Sequence, residues 1–405
     1  MGITFPGSPE PTIGVEIELQ TVEPETLDLA SGAPALLNRF REDPHVKKEL
    51  LQCCLELDTR VCRTVGEVEA DLRERVSSII RAADEMGYRL IAAGTHPFGH
   101  WTDQEVTPDA RYHTQLQRTQ WTARRMLTFG LHIHIGVDTA EKAMSIFNVF
   151  PAYIPLLLAL SASSPFWEGM DTGLVSARSK VFESLPGGGV PYQMRNWTEF
   201  QRMIRILQQI GTIESIQELW GDVRPHSQYG TLELRVCDAM PRLDELLAVV
   251  AFAQALVVWL GDLYERGVPQ PVPRHWIVQE NKWRAVRWGM DCRLVTDESG
   301  GQQRFRTVLE EMLESLAPVS EALGSWPYLK TIERMLETGS SADRQRRVFR
   351  ETNSLEAVVM SLEQELRSSC AGERALATEA ASHEDEGITR FRKPLKDGGP
   401  VWRDF

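Results

Sequence analysis

The stretch TIGVEIEL, residues 12–19, decides how the rest of this chain is organised. Aliphatic residues stand at every second position from Ile13 to Leu19, and Glu16 and Glu18 stand between them. A period of two is typical of a β-strand, so both carboxylates leave one face while the aliphatic side chains line the other. Two like charges on one strand face repel each other, which indicates that a cation lies between them. For this strand alone, a solvated acidic face is the alternative interpretation.

Three later stretches repeat this alternation, and each carries polar side chains that can bind a metal or a phosphate. They are LELDT at 55–59, GLHIHIG at 130–136 and TLELRV at 231–236. Their polar positions are occupied by Glu56, Asp58, His132, His134, Glu233 and Arg235. Side by side, these strands would form a sheet with one aliphatic face and one face of metal ligands. Oxygen ligands with one or two imidazoles suit Mg²⁺ or Mn²⁺ better than Zn²⁺.

The composition is that of a globular protein and argues against several classes of function. Of the 405 residues, 42% are hydrophobic and 25% are charged. The net charge of −13, without a long basic block, argues against a nucleic-acid-binding surface. The N-terminus lacks the features of a signal peptide, and the longest apolar runs, 154–162 and 246–260, are too short or too interrupted to span a membrane. Six cysteines without a CxxC pair indicate reduced thiols in a cytoplasmic protein.

Amphipathic periodicity predicts helices around these strands. The predicted helices are 36–50, 64–88, 139–150, 153–163, 197–207, 243–264, 305–323 and 342–367. The polar segment 108–128 is predicted to be a mobile loop over the site, and 163–189 a functional loop. The triglycine within the latter lacks the Lys-Ser of a phosphate-binding P-loop. A change of composition predicts one catalytic domain over 1–367 and a weakly ordered tail over 368–405.

Six segments, in this order and spacing, resemble the ATP-dependent carboxylate–amine ligase branch of the glutamate–cysteine ligase superfamily (type 2). They are GVEIEL at 14–19, ELLQCCLELDTRVC at 49–62, GLHIHIGV at 130–137, LLLALSASSPFWEGMDTGLVSARSKVF at 156–182, GTLELRVCDA at 230–239 and ENKWRAVRWGMD at 280–291. The resemblance covers residues 10–367. It implies an α+β, glutamine-synthetase-like catalytic fold, in which a curved, mainly antiparallel sheet holds the active site on its concave face and helices pack behind it.

The resemblance also implies roles for individual residues. The metal ligands would be Glu16, Glu18, Glu49, Glu56, His132 and Glu233. Arg235 would contact the transferred phosphoryl group as a catalytic residue. Arg178 is a second catalytic candidate, because an arginine fork matches both a carboxylate and a phosphate; surface ion pairing is the alternative. The candidate cofactor-binding residues are Arg235, Asn281, Arg284 and Arg287.

Three positions do not follow the pattern simply. Glu49 lies seven residues before Glu56 and would face the wrong way on an unbroken strand. Ile17 stands where the family usually has an acidic residue, and the period of two turns it away from the metals. His134 shares the face of His132, but the resemblance maps only His132 onto a ligand.

The expected activity is ATP-dependent amide-bond formation through an acyl phosphate, with glutamate or a similar amino acid as the acid. The expected cofactors are ATP and Mg²⁺, with Mn²⁺ as the second choice. A metal-dependent hydrolase, which needs no nucleotide, and a non-catalytic nucleotide sensor are the alternatives. The expected partners are small amino-acid substrates and, as a homodimer, a second copy of the chain, but no nucleic acid or membrane. Loss of Glu16, Glu56 or Glu233 is expected to relieve charge repulsion in the metal-free protein.

Overall fold

The structure, a computed structural model, describes residues 3–371 of the chain. Its strands are β1 (Ile13–Val22), β2 (Val46–Lys48), β3 (Cys54–Asp58), β4 (Arg89–Ile91), β5 (Gly130–Gly136), β6 (Phe166–Trp167), β7 (Met170–Asp171), β8 (Val223–His226), β9 (Thr231–Asp238), β10 (Arg293–Val295) and β11 (Gln302–Arg304). Its α-helices are α1 (Ala33–Arg39), α2 (Val65–Glu85), α3 (Ala110–Thr119), α4 (Trp121–Arg124), α5 (Ala140–Val149), α6 (Ile154–Ser161), α7 (Ala177–Phe182), α8 (Trp197–Gln209), α9 (Leu243–Glu265), α10 (His275–Trp288), α11 (Phe305–Ala322), α12 (Trp326–Leu329), α13 (Thr331–Thr338), α14 (Ser341–Thr352) and α15 (Leu355–Ala371).

Seven strands form one sheet in the order β2-β3-β1-β5-β9-β8, with β4 also pairing with β1. Every pairing in this sheet is antiparallel. The central strand β1 pairs with β3 along one edge and with β5 and β4 along the other. The four strands predicted from their alternation are therefore confirmed, and they lie side by side. This arrangement, with helices outside the sheet, is the predicted α+β architecture.

One face of the sheet is aliphatic and lies against helices α2, α5, α6 and α9. The side chains of this face are at most 6% exposed: Ile13, Val15, Ile17, Leu19, Leu55, Leu57, Leu131, Ile133, Ile135, Leu232 and Leu234. Ile17 therefore points away from the polar face, as predicted. Because the side-chain period is two, a slip of one residue would exchange these aliphatic side chains for carboxylates in the core. The register of the polar face is fixed by this penalty.

A β-bulge changes the facing of side chains along β9. Leu131 lies opposite Cys237 and Ile133 opposite Leu234, so β9 has one more residue than β5 between these two pairs. Glu233 and Asp238 are five positions apart, yet the extra residue puts both on the polar face. The bulge thus adds a carboxylate to this face that strict alternation would have placed in the core.

Two helical segments have the length and hydropathy of membrane spans but belong to the core. They are Ala140–Ser161 and Leu243–Glu265, and each is 89% buried within the protein. Burial of this extent is what the core helices of a soluble protein show.

The structure corrects two predicted segments. The helix predicted over 36–50 ends at Arg39, because Pro44 follows and cannot continue a helix, and residues 46–48 form β2 instead. The predicted mobile loop over 108–128 contains α3 and α4. The carboxylate of Asp109 caps α3 by accepting a 2.8 Å hydrogen bond from the backbone N–H of Arg111.

The predicted division into a catalytic domain over 1–367 and a tail over 368–405 stays a prediction, and its boundary falls within a helix. Helix α15 continues across it to Ala371. Arg73 donates hydrogen bonds of 2.8 and 2.9 Å to the carbonyl oxygens of Ser369 and Cys370, which ties this end of the helix to α2. The remainder of the predicted tail, 372–405, lies outside the described residues.

Candidate active site

A pocket of about 300 Å³ opens on the polar face of the sheet. All six predicted metal ligands line it: Glu16, Glu18, Glu49, Glu56, His132 and Glu233. The two predicted catalytic arginines, Arg178 and Arg235, line it as well. The period of two therefore assembles, across four strands and their connections, the residues that the sequence singled out.

Four carboxylates form what we call the acidic cluster: Glu16, Glu18, Glu49 and Glu56. Glu18 lies directly opposite Glu56 in the pairing of β1 with β3, which brings their side chains together. Ligand atoms of Glu18, Glu49 and Glu56 lie within 4.8 Å of one another, and so do those of Glu16, Glu56 and His132. These spacings allow one cation to contact three side chains at once.

Glu49 joins the cluster because the strand before Glu56 is broken. Strand β2 ends at Lys48 and β3 begins at Cys54, so Glu49 lies in the connection, where the period of two does not apply. The backbone N–H of Leu50 donates a 3.1 Å hydrogen bond to its carboxylate. The spacing of seven residues, which argued against this position, is thereby explained.

The acidic cluster is electrostatically crowded. Burial, with the neighbouring charge of Glu49, raises the pKa of Glu18 to about 8. Burial also raises the pKa of Glu49, and burial with the charge of Glu16 raises that of Glu56 well above its usual value. A carboxyl group whose pKa is raised holds its proton to higher pH than usual unless a cation replaces the proton. The donor set therefore fits a divalent cation.

Glu16 differs from the other three because it lies between two imidazoles. His132 Nδ1 is 3.1 Å from one of its oxygens, and His134 Nε2 is 3.4 Å from the other. Burial would raise the pKa of Glu16, but the hydrogen bonds and charges of both histidines hold it well below its usual value. Burial and the positive charge of Arg235 lower the pKa of His132 to about 4, so this ring is neutral at pH 7, as metal binding requires.

Three buried guanidinium groups form what we call the arginine cluster: Arg178, Arg224 and Arg235. Glu233 accepts hydrogen bonds from both nitrogens of Arg224 that face it and from Arg235. Burial would raise the pKa of Glu233, but the charges of Arg224 and Arg235 lower it strongly. Unlike the acidic cluster, this carboxylate is already neutralised by cations of the chain itself.

Arg178 reaches the pocket through a gap that a glycine leaves in the sheet. Its guanidinium donates hydrogen bonds of 3.2 and 3.3 Å to the carbonyl oxygens of Arg235 and Val236. A Cβ atom at Gly130 would lie 2.4 Å from its Nη2, so only glycine admits the guanidinium here. Asp238 lies 3.8 Å from Arg178 and balances its charge.

Comparison with known proteins identifies the family of this chain. The model of glutamate-cysteine ligase family 2 (GCS2) matches residues 12–362. The chain belongs to this family. It is 43% identical to a protein of Frankia alni provisionally named glutamate–cysteine ligase 2-1, over 91% of this chain and 98% of that protein. It is 41% identical to a Gloeobacter violaceus protein provisionally named glutamate–cysteine ligase 2, over 90% of this chain and 99% of that protein.

Solved structures agree in fold with this GCS2 family member. A bifunctional glutathione synthetase from Pasteurella multocida superposes with a TM-score of 0.66 at 16% identity, covering 91% of this chain and 54% of that one. The glutamate–cysteine ligase of Francisella tularensis, determined in complex with AMP, gives a TM-score of 0.60 at 11% identity, covering 96% and 98%. The predicted fold and family are confirmed. The chain is an ATP-dependent ligase of the glutamate–cysteine ligase kind.

The cofactor-binding role of three residues of this GCS2 chain, Asn281, Arg284 and Arg287, stays a prediction. In the described residues none of them lines the pocket. The Asn281 side chain bonds with the backbone of Val295, at 2.9 and 2.7 Å, and Arg284 and Arg287 also have partners outside the pocket. These three side chains therefore hold helix α10 against neighbouring parts of the chain. The composition of the segment did not predict these contacts.

Several pocket residues of the GCS2 chain were not predicted. They include Lys47, Arg111, Tyr112, Trp220, Arg224, His226 and Tyr229. For Arg224 and His226 a signal existed, because the segment VRPH at 223–226 alternates like the other strands. Its proline is unusual in a strand and is tolerated here because β8 is an edge strand.

Lys47 explains why Asp58 does not belong to the acidic cluster. Lys47 lies opposite Glu56 in the pairing of β2 with β3, and its Nζ is 2.7 Å from Asp58 and 3.6 Å from Glu56. Asp58 thus has its own counter-ion. The alternation along β3 predicted the same role for Glu56 and Asp58. Lys47 of the neighbouring strand β2 gives the two residues different surroundings, because it lies nearer to Asp58.

Proposed function

We propose that this enzyme joins the carboxyl group of an amino acid, with glutamate as the first candidate, to an amine through an acyl phosphate formed with ATP. The observation that supports this most directly is the acidic cluster facing the arginine cluster in one pocket. A terminal phosphate held by cations on one side and guanidinium groups on the other is the arrangement that phosphoryl transfer requires. Neither a hydrolase nor a nucleotide sensor gains a supporting observation from the fold or the relatives.

In this proposal the acidic cluster and His132 hold Mg²⁺, with Mn²⁺ as the second choice. The raised pKa values of Glu18, Glu49 and Glu56 support a site that exchanges protons for cations. Bound ions of this kind supply charge neutralisation and alignment of phosphate oxygens. The residues of the cluster contribute by fixing the positions of the ligand atoms before binding.

Arg235 and Arg178 stabilise the negative charge that develops during transfer. Arg235 is held by Glu233 and lies 5.8 and 5.9 Å from the ring centres of Phe182 and Trp220, so its position is set before a ligand binds. Among the described residues, the Nε atoms of Arg178 and Arg235 are buried and have no hydrogen-bond partner. Each guanidinium therefore has one buried N–H group that no described residue satisfies.

Helix α3 protects the reacting groups from water. Arg111 and Tyr112 line the pocket from this helix, and the Tyr112 hydroxyl donates a 3.0 Å hydrogen bond to the carbonyl oxygen of Lys48. An acyl phosphate is hydrolysed readily, so a covered pocket favours attack by the amine over attack by water. The segment predicted to be a mobile loop thus contributes a helix at the site.

The nature of the nucleotide product tests this proposal. The enzyme is incubated with ATP, Mg²⁺ and pairs of acids and amines, beginning with glutamate, and the spent nucleotide is separated by chromatography. We expect ADP and phosphate, formed slowly without substrates and faster when the right acid and amine are both present. AMP as the main product would contradict the acyl-phosphate route, and no cleavage across a broad panel of pairs would contradict the ligase reaction with these substrates.

A further inference from the structure

We propose that Lys282 positions Arg178 and Arg235 through a buried ion triad that it forms with Glu183 and Asp222. Lys282 lies on α10 and is not among the described residues that line the pocket. It is therefore a positioning residue and does not touch the reacting groups. The inference rests on the proposed function, which gives the two arginines their role in phosphoryl transfer.

The ammonium group of Lys282 is buried between two carboxylates. Its Nζ lies 2.6 Å from an oxygen of Glu183 and 2.6 Å from an oxygen of Asp222. Lys282 is 2% exposed and Asp222 is 3% exposed. Burial would lower the pKa of Lys282, but the charges of Asp222 and Glu183 raise it above its ordinary value. The ammonium group is therefore charged at neutral pH and holds both carboxylates.

Each carboxylate belongs to a segment that supplies an aromatic ring to the pocket. Glu183 directly follows Phe182, the last residue of α7. Asp222 lies two residues after Trp220 and directly before β8. Phe182 and Trp220 line the pocket and meet edge to face, with ring centres 6.2 Å apart, and we call them the aromatic wall. Lys282 thus joins the two halves of this wall from outside the pocket.

The aromatic wall lies against both guanidinium groups. The Cζ atom of Arg178 is 5.4 Å from the ring centre of Phe182. The Cζ atom of Arg235 is 5.8 and 5.9 Å from the ring centres of Phe182 and Trp220. Asp222 also holds Arg235 directly, because its carbonyl oxygen accepts a 2.8 Å hydrogen bond from the backbone N–H of Arg235. A displacement of Asp222 or of the aromatic wall would therefore move the guanidinium groups.

A buried ion triad fixes geometry better than it stabilises a fold. Apolar side chains of similar volume often stabilise a buried site equally well, because buried charges lose their hydration. Charge-assisted hydrogen bonds, however, are short and directional. Phosphoryl transfer depends on such precision, since a displacement of about 1 Å can lower a rate about 100-fold. The segment 280–291, whose predicted cofactor-binding residues lie outside the pocket, contributes to the site in this way.

A lysine on the other side of the sheet supplies a matched control. Lys142 of α5 contacts Asp138, at 2.8 Å, and Glu265. Its side chain is 12% exposed, so it is also a largely buried lysine between two carboxylates. Because α5 lies behind the sheet, Lys142→Met should lower stability without changing the pocket.

The position of the aromatic wall is measured by ¹⁹F nuclear magnetic resonance of the full-length protein labelled with 5-fluorotryptophan. The resonance of Trp220 is assigned by its loss from Trp220→Phe. We expect Lys282→Met to shift or broaden this resonance, and Lys142→Met to leave it at the wild-type position. A Trp220 resonance that is unchanged in Lys282→Met would overturn the proposal.

The rate of ADP formation, referred to the folded fraction of enzyme, measures the consequence for the reaction. We expect Lys282→Met to lower kcat about 100-fold, because the guanidinium groups no longer meet the charge that develops during transfer. The KM for ATP should change much less than kcat, and the affinity for Mn²⁺ should not change, because Lys282 lies outside the acidic cluster. A kcat for Lys282→Met equal to that for Lys142→Met would overturn the proposal.

A double-mutant cycle tests whether Lys282 acts through the aromatic wall. If it does, Lys282→Met and Phe182→Leu together lower kcat by less than the product of their separate effects. A combined effect equal to that product would show that Lys282 does not act through Phe182, and would overturn the proposal.

Glu183→Gln covers the case in which Lys282→Met folds poorly. The side chain of Glu183 is 22% exposed, and Lys282 keeps Asp222 as its counter-ion in this variant. We expect kcat to fall, by less than in Lys282→Met, and the Trp220 resonance to move. A wild-type kcat in Glu183→Gln would overturn the proposal.

These measurements are separate from the test of the reaction. A protein that forms ADP with the right substrates, but whose Trp220 resonance does not respond to Lys282→Met, would contradict the positioning role alone. A protein whose Trp220 resonance responds to Lys282→Met and not to Lys142→Met, but which forms no ADP with any pair, would contradict the proposed reaction alone.

Discussion

The acidic cluster and the arginine cluster lie in the same pocket, yet their buried carboxylates have opposite electrostatic surroundings. In the arginine cluster, Glu233 is paired with Arg224 and Arg235. In the acidic cluster, Glu18 and Glu56 face each other across paired strands, and their pKa values rise because the negative charges are crowded. One half of the pocket therefore requires a cation from outside, and the other presents guanidinium groups to an anion. A metal-bound polyphosphate satisfies both.

The largest expected effect comes from removing a charge of the acidic cluster. We expect Glu16→Gln and Glu56→Gln each to lower turnover by about 1000-fold, because a metal ligand that positions the transition state is lost. For Glu56→Gln, the melting temperature of the metal-free protein should rise, because burial and repulsion penalise this carboxylate. Enzyme assays in Mg²⁺ and thermal melts in chelator measure the two effects.

The exposed residue Glu42, whose ion-pair partner among residues 3–371 is neighbouring Arg41, supplies the control. Glu42→Gln should leave both activity and melting temperature unchanged. If Glu16→Gln and Glu56→Gln keep wild-type activity in Mg²⁺, the assignment of the acidic cluster as the metal site is wrong.

The same substitution in the arginine cluster should change stability in the opposite direction. Glu233→Gln leaves the buried guanidinium groups of Arg224 and Arg235 without their counter-ion, so we expect the free energy of unfolding to fall by about 3 kcal/mol. Urea unfolding of the metal-free protein measures it. From the sequence alone, Glu233 was expected to behave like Glu16 and Glu56, and its two partners reverse that expectation. A Glu233→Gln protein as stable as the wild type would show that these pairs contribute no net stability.

A smaller effect should appear as a pH dependence. In the folded metal-free protein the pKa of Glu18 is about 8, raised from an ordinary value of 4.5. Between these two values the folded state holds a proton that the unfolded chain releases, so stability falls as pH rises through this window. Melting temperatures at pH 6 and pH 8, in chelator, should therefore fall more steeply in wild type than in Glu18→Gln. Equal slopes would contradict the raised pKa.

The smallest effects are expected outside both clusters. Arg284→Gln and Arg287→Gln should change the KM for ATP by no more than about twofold, because neither residue lines the pocket. Arg178→Gln, which removes a guanidinium that does line it, is the matched comparison. Steady-state kinetics at varied ATP measure all three. A tenfold rise in the KM for ATP of either of the first two variants would show that the substituted residue contributes to nucleotide binding.

The sequence by itself determined four adjacent strands of the sheet, the facing of their side chains and the family. The period of two in TIGVEIEL and its three repeats depends on neighbouring residues alone, so it can be recognised without knowledge of the fold. It placed Glu16, Glu18, Glu56, His132 and Arg235 on one face, where the structure also has them. The six ordered segments led to the family that the comparison confirms.

Only the tertiary structure decided which charges are partners. Glu49 reaches the acidic cluster from the connection between two strands, where no periodicity applies. Arg224 reaches Glu233 from the edge strand β8, which was not predicted because a proline is unusual in a strand. Asn281 is drawn away from the pocket by its bonds to Val295. Periodicity sets the side of an element on which a residue lies, but strand order and helix packing set what lies across from it. For charged groups in a buried pocket, the residue across from them decides whether a carboxylate binds a metal or an arginine.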